Sequence, residues 1–75
     1  METVTLDLDT LIEDAHNARL HPERNLDAIR KSLEAFGQAE PLVVQKSTGK
    51  VIGGNGRLAV MRSMGWTSAA AVLMD

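Results

Sequence analysis

The sequence feature that most constrains the fold is a glycine-rich corner within the stretch Val51–Gly65. Two β-branched residues, Val51 and Ile52, run into Gly53-Gly54-Asn55-Gly56, and an apolar and basic periodic segment then continues to Gly65. This order of residues predicts a short strand, a tight turn and the start of a helix. Such a junction is a candidate anion site, because glycines let the backbone approach a ligand and the first free amides of a helix carry about half a positive charge.

Arg57 lies on the first turn of that predicted helix and would add a planar fork of hydrogen-bond donors that suits phosphate. Two simpler interpretations stay open at this stage. The glycines are equally typical of a plain tight turn, and Arg57 is equally typical of a solvated charge on a helix face.

Two common nucleotide-binding motifs fit this stretch poorly. The run Gly54-x-Gly56-x-x-Ala59 satisfies the dinucleotide fingerprint, and Asp75 follows about 20 residues later. A Rossmann unit is nevertheless disfavoured, because this chain places its first helix before the glycines and joins the flanking strands by a hairpin. The Walker A pattern fails because Gly49-Lys50 is followed by Val51.

Composition limits the class of protein. The chain has 75 residues, a net charge of -2 and no cysteine. It therefore makes one small domain, residues 1–75, without disulfides, thiolate metal sites or a thiol nucleophile. No apolar run approaches the roughly 20 residues that span a bilayer, and no basic-then-apolar leader begins the chain, so we predict a cytoplasmic protein without a membrane partner. The acidic balance argues against general coating of nucleic acid. The abrupt end after Leu73-Met74-Asp75 suggests a module of a longer protein.

Hydrophobic periodicity predicts the remaining elements in order. Residues 3–8 alternate and predict a first strand, and Asp9 is the expected N-cap of a brief helix that tucks Leu11 and Ile12 under the sheet. Residues 15–24 are polar and predict a loop that contains both histidines, His16 and His21.

A helix is expected after Asn25 as N-cap, ending at Gly37. Its apolar stripe is Leu26, Ile29, Leu33 and Phe36. The later elements are a strand at 42–45, a turn at 46–50, an antiparallel strand at 51–52, a helix opened by Asn55 or Gly56 and ended by Gly65, and a strand at 69–74. The alanines at 69–71 are equally typical of a helix, but the continuous apolar run without a helical period favours the strand.

Three separated motifs together resemble the ParB/sulfiredoxin-like superfamily. They are Asn17-Ala18-Arg19-Leu20-His21, the run from Phe36 to Val44 with Gly37 and Pro41 in it, and the run from Ile52 to Leu58. The best match is the ParB N-terminal (ParB-like nuclease) type found in partition proteins and in phage or DNA-methylase-associated proteins, and it covers the chain from Leu6 to Asp75. The resemblance implies an α+β fold with a small mixed β-sheet and two main helices.

The resemblance also implies a site. In ParB partition proteins the G-x-x-R turn contacts the triphosphate of CTP, which implies phosphate contacts here from Gly54, Asn55, Gly56 and Arg57, with Gly53 beside them. Arg19 and His21 are implied as a ligand-facing pair, and Gln38 and Glu40 as contacts to a base or sugar. The implied cofactor is a nucleoside triphosphate, CTP or ATP, with Mg²⁺.

Departures from the family pattern favour binding of the nucleotide over its hydrolysis. Asn55 and Gly56 replace the usual acidic and basic residues between that glycine and arginine. The helix-turn-helix region of ParB proteins lies beyond this chain, so DNA contact is expected through other parts of a parent protein, and a homodimer is a further expectation. Sulfiredoxin has its catalytic cysteine where this chain has Asn55, so sulfiredoxin chemistry is excluded.

Two other functions remain open as alternatives, a DNA nuclease and a non-catalytic protein-interaction domain. Whether the chain is an enzyme is left open, and the candidate activities are a weak NTPase and a nuclease. The nuclease is chemically weak because the sequence shows no clustered acids at metal-binding spacing. His16 and His21, five apart in a loop, predict no metal site because no regular element fixes them on one side.

Overall fold

The computed structural model describes residues 2–14 and 23–75. The predicted loop at 15–22, including Arg19 and His21, lies outside the described residues. The described part contains a 3₁₀ turn, four strands and two α-helices, which in chain order are β1 (Thr3–Asp7), the 3₁₀ turn (Leu8–Thr10), α1 (Glu23–Phe36), β2 (Leu42–Gln45), β3 (Val51–Gly53), α2 (Asn55–Ser63) and β4 (Ser68–Met74).

The four strands form one mixed sheet in the order β1-β4-β2-β3. β4 runs parallel to β2, with Leu42 opposite Ala71, and the β1–β4 and β2–β3 pairs are antiparallel. A parallel pair needs a long crossover, and here β3 and α2 together carry the chain from β2 back to β4. The predicted α+β fold with a mixed sheet and two helices is thereby confirmed.

The core lies between one face of this sheet and the two helices. Alternation along β2 buries Leu42 and Val44 while Val43 and Gln45 are half-buried, as expected for a strand with one covered face. From α2, Leu58 and Met61 are fully buried against this face. The remaining buried apolar residues are Leu8, Leu11, Leu33, Val51, Val60, Ala69 and Ala71.

Several predicted boundaries of the helices and strands are confirmed. Gly37 has φ +74 just after α1, and its amide donates to the Leu33 carbonyl, which is the expected helix end. The hairpin between β2 and β3, the start of α2 at Asn55 and the strand character of residues 69–74 also agree with the pattern. The strand assignment for the alanines follows because β4 is the central strand between β1 and β2.

The segment after β1, residues 8–14, differs from the prediction. The 3₁₀ turn begins at Leu8, one residue before the expected N-cap Asp9, and residues 11–14 are not helical, with Leu11 in an extended conformation. Ile12 donates its amide to the Gly49 carbonyl and accepts the Val51 amide, so this segment runs beside the edge of β3. Backbone pairing to an open sheet edge has overridden the weak local helix signal. It also turns Ile12 outward, 54% exposed, while Leu11 is buried as predicted.

Two details of α1 are corrected as well. The helix begins at Glu23, so Asn25 lies inside its first turn and is not the N-cap. Phe36 does not belong to the buried stripe, since it is 83% exposed. Its helical position is at the margin of the stripe centred on Leu26 and Leu33, and the chain turns away at Gly37 immediately afterwards.

Within the described residues, neither helix has the length and apolarity needed to cross a membrane.

Candidate functional site

The corner between β3 and α2 is built on Gly54. This residue is the N-cap of α2, with φ +94 and ψ 22, in the left-handed region that glycine adopts without strain. A Cβ at this position would lie 2.7 Å from Cδ2 of the buried Leu42. Both the backbone conformation and the packing against β2 therefore require glycine at position 54.

The N-terminus of α2 is open to an anion. Gly54 offers no side chain to cap it, and the first turn contains no acidic residue. The first backward hydrogen bond is donated by Leu58 to the Gly54 carbonyl, at 2.9 Å. The amides of Asn55, Gly56 and Arg57 precede it and are the ones that a helix leaves without a partner of its own. Their aligned dipoles give this end a partial positive charge.

Arg57 adds a full positive charge at the same corner. Its Nη2 and Nε lie 3.1 and 3.4 Å from the point where a Cβ on Gly54 would stand, so the guanidinium covers Gly54. Its Nη1 donates to the Glu40 carbonyl at 3.1 Å and lies 3.4 Å from the Glu40 carboxylate. The Arg57 side chain is only 26% exposed, whereas that of Glu40 is 78% exposed. Of the two open interpretations, the solvated charge on a helix face does not describe Arg57.

Asn55 has a buried side chain with both ends engaged. It is 2% exposed, its Oδ1 accepts the Asp14 amide at 2.9 Å, and its Nδ2 donates to the Val51 carbonyl at 2.9 Å. The side chain thus joins the segment of residues 11–14 to the β3–α2 corner. Any contact of Asn55 with phosphate has to come from its backbone amide.

The other two glycines of the corner act through the backbone too. Gly56 is buried, and Gly53 is half-buried opposite Val43, whose Cβ would lie 3.2 Å from an added Cβ. Together with Gly54 they keep side chains out of the corner.

Gln38 and Glu40, the expected contacts to a base or sugar, lie beside Arg57 but differ in freedom. The Gln38 amide is bound at both ends, because its Oε1 accepts the Ala70 amide and its Nε2 donates to the carbonyls of Ala70 and Glu40. Among the described residues, the carboxylate of Glu40 reaches Arg57 alone. Gln38 is therefore committed to the structure, and Glu40 is the more available of the two.

A cleft of about 240 Å³ opens next to this corner. Arg57 and Glu40 line one side, and Ile29, Ser32 and Leu33 of α1 line the other. The sequence pattern does not predict that these residues of α1 line a cleft. Helical spacing places the three residues on one side of α1 but does not tell what they face.

Arg62 is a further residue whose role the sequence did not indicate. Its Nη2 donates to the Leu8 and Leu11 carbonyls at 2.6 and 2.7 Å, and its Nη1 pairs with Glu13 at 3.1 Å. It fixes the segment after β1 onto α2, the helix that begins at the corner. Among residues 2–14 and 23–75, no three His, Asp or Glu side chains converge as metal ligands.

Comparison with known proteins supports the fold. No known family profile matches this sequence, and no curated protein matches it. Among solved structures, sulfiredoxin from Arabidopsis thaliana superposes with a TM-score of 0.85 at 16% identity, covering 100% of this chain and 86% of that one. A Pnob8-like ParB-N domain gives a TM-score of 0.82 at 24% identity, covering 99% of this chain and 30% of that one.

A third similar structure was solved with a nucleotide analogue. It is the C-terminally truncated chromosome-partitioning protein ParB from Caulobacter crescentus in complex with CTP-γ-S, with a TM-score of 0.77 at 14% identity, covering 100% of this chain and 45% of that one. The chain thus spans less than half the length of these two ParB structures. These similarities establish the ParB/sulfiredoxin-like α+β fold.

Proposed function

We propose that this chain is a nucleotide-binding module of ParB type, within a DNA-associated protein of the partition, phage or mobile-element kind. The corner between β3 and α2 binds the phosphates of a nucleoside triphosphate, CTP or ATP. One observation carries the proposal: an uncapped helix N-terminus, shaped by Gly54, lies directly beneath the Arg57 guanidinium.

The corner has the donors that a phosphate chain needs. The amides of Asn55, Gly56 and Arg57 supply neutral donors and the guanidinium supplies charged ones, which is the combination that binds phosphate at helix N-termini. The Glu40 carboxylate contacts Nη1 of Arg57 and leaves Nη2 and Nε facing the corner, and an exposed ion pair of this kind is worth about 0–1 kcal/mol. Glu40 therefore competes only weakly with a phosphate for Arg57.

The cleft beside the corner gives the rest of a nucleotide somewhere to lie. It is lined by apolar Ile29 and Leu33, by the hydroxyl-bearing Ser32, and by Glu40. Apolar walls with a few polar groups suit a base and a sugar. One similar protein, the C-terminally truncated ParB from Caulobacter crescentus, was solved in complex with CTP-γ-S, which supports the proposal. Arg19 and His21 belong to the proposed site on the family resemblance, and Mg²⁺ is the proposed companion ion.

Calorimetric titration tests the proposal. CTP, ATP, GTP and tripolyphosphate are titrated into the full chain, and CTP or ATP is expected to bind. Arg57→Ala should weaken binding about 10- to 100-fold, the effect of removing a charged hydrogen-bond donor. Arg30→Ala is the matched control, since it removes the same charge from an exposed position on α1 outside the cleft.

The outcomes separate the alternatives. Absence of heat with every nucleotide and with tripolyphosphate would show that the corner is not a phosphate site. Equal losses in Arg57→Ala and Arg30→Ala would mean that binding follows overall charge and not this corner. Conversion of supercoiled plasmid by the chain with Mg²⁺ or Mn²⁺ would favour the nuclease instead.

A further inference from the structure

We propose that Gln38 is a positioning residue for the phosphate site, because it holds the Arg57 guanidinium over the N-terminus of α2 through the Glu40 carbonyl. This inference rests on the proposed function, in that it concerns how Arg57 is presented to phosphate. It assigns Gln38 a role different from the base or sugar contact that the sequence suggested.

The first step is the attachment of Gln38 to the sheet. Its Oε1 accepts the Ala70 amide at 2.8 Å, and its Nε2 donates to the Ala70 carbonyl at 2.9 Å. The side-chain amide thereby makes the paired bonds that a neighbouring strand residue makes, next to the first β2–β4 pair, Leu42 and Ala71. Gln38 cannot turn toward a ligand without leaving both polar groups of Ala70 unpaired, which is costly.

The second step leads from Gln38 to Glu40. The same Nε2 also donates to the Glu40 carbonyl at 2.9 Å. This bond ties the connection between Gly37 and Pro41 to the sheet and fixes the direction in which the Glu40 carbonyl points. The Glu40 side chain is not needed for this.

The third step leads from Glu40 to Arg57. The Glu40 carbonyl accepts Nη1 of Arg57 at 3.1 Å, closer than the exposed carboxylate at 3.4 Å. With Nη1 held there, Nη2 and Nε are the nitrogens that lie over Gly54. The relay from Ala70 to Arg57 therefore sets which edge of the guanidinium faces the corner.

Electrostatics explains why Arg57 needs such an anchor. A cation near a helix N-terminus is repelled by the helix dipole, so an untethered arginine is expected to swing away when no anion is bound. A free arginine side chain also loses rotamer entropy when it is fixed in one conformation. Holding the guanidinium in place before phosphate arrives removes both costs from the binding step.

Nuclear magnetic resonance on the full chain tests the relay without any ligand. The rate at which the guanidinium groups of Arg57, Arg62 and Arg30 rotate about their Nε–Cζ bonds is measured from their Nη resonances. Arg62, held by two carbonyls, and Arg30, exposed on α1, serve as slow and fast references. Gln38→Ala should raise the Arg57 rate about tenfold, the effect of losing one hydrogen bond, and leave Arg62 unchanged.

Gln38→Glu is the second variant. It keeps the bond from the Ala70 amide but can no longer donate to the carbonyls of Ala70 and Glu40, so one of the two bonds to β4 remains and the bond to Glu40 is lost. It should free Arg57 in the same way. Gln45→Ala, which loses only a bond from the Thr48 hydroxyl, is the control and should change nothing at Arg57. An unchanged Arg57 rate in whichever Gln38 variant is folded would overturn the relay.

Tripolyphosphate binding gives the second measurement. Gln38→Ala or Gln38→Glu should weaken it about 3- to 10-fold in the wild-type background. In an Arg57→Ala background the same change should have no further effect, since Gln38 acts through Arg57. An equal loss in both backgrounds would overturn the relay. If the wild-type chain binds neither tripolyphosphate nor nucleotide, the proposed phosphate site is wrong, and the rotation rates still decide whether Gln38 holds Arg57.

Discussion

At the scale of single residues, Gly54 shows two separate reasons for a glycine. Its φ of +94 penalises any residue with a Cβ, and the Leu42 side chain leaves no space for that atom. Gly65 shares only the first reason, since it has φ +84 and nothing within 4 Å of an added Cβ. The pair therefore separates backbone strain from steric exclusion.

Gly54→Ala should cost more stability than Gly65→Ala. The left-handed backbone alone costs about 1–2 kcal/mol for a residue with a Cβ, which is the expected loss at position 65. At position 54 the contact with Leu42 adds strain of about 1–3 kcal/mol, typical of overpacking a core. Urea unfolding of both variants measures the difference. Equal losses would mean that Leu42 yields and that packing does not require glycine at the corner.

Residue roles were predictable from sequence only where the backbone dictates them. Gly54 and the helix-ending Gly37 follow from the pattern because a positive φ has a strong residue preference. The roles of Asn55 and Gln38 do not follow, since their partners Asp14 and Ala70 lie 41 and 32 residues away. Local sequence shows a polar side chain near a ligand motif but not which distant backbone group binds it.

At the scale of elements, α2 is held at its start by Asn55 and further along by Arg62. Both residues bind the segment after β1, Asn55 through the Asp14 amide and Arg62 through the Leu8 and Leu11 carbonyls. The residues of this segment show neither a helical nor a strand period. The sequence predicted a brief helix there, whereas residues 11–14 are not helical. Its shape is imposed by α2 and by the edge of β3, which are distant in sequence.

Asn55→Ala should loosen this junction. The change removes the bonds that the Asn55 side chain makes with the part-buried Asp14 amide and with the Val51 carbonyl, at a cost of about 2–3 kcal/mol. Asn25→Ala is the matched control, because Asn25 is exposed within α1, and it should alter stability by no more than about 0.5 kcal/mol.

Hydrogen exchange locates the effect of Asn55→Ala. Protection should fall first at the amides of Ile12 and Val51, which pair this segment with β3, before it falls in β4. Uniform loss across the sheet would show that Asn55 stabilises the molecule as a whole and is no local junction.

At the scale of the whole molecule, the proposed phosphate site consists of groups that folding brings together. The amides of α2, the glycine corner and Arg57 converge only once β3, α2 and the Gly37–Pro41 connection have packed together. The unfolded chain has no such constellation, so a ligand that needs it binds the folded state alone and stabilises it by mass action. A domain of 75 residues has a small core, which makes this contribution easy to detect.

Tripolyphosphate should therefore raise the melting temperature of the chain. At a free concentration 100 times its Kd, binding contributes about 2.7 kcal/mol, and a domain of this size shifts by about 4–8 °C for each kcal/mol, so the expected rise is about 10–20 °C. Arg57→Ala, with its Kd raised about 10- to 100-fold, should retain about 0.4–1.4 kcal/mol at the same concentration and so lose about half of the rise or more, and Arg30→Ala should retain the rise. Sodium chloride at matched ionic strength should give a much smaller shift, because screening alone creates no contact at the corner. An equal shift with sodium chloride, or an undiminished one in Arg57→Ala, would assign the stabilisation to general ionic effects, since a site built from α2 amides and one guanidinium has to depend on both.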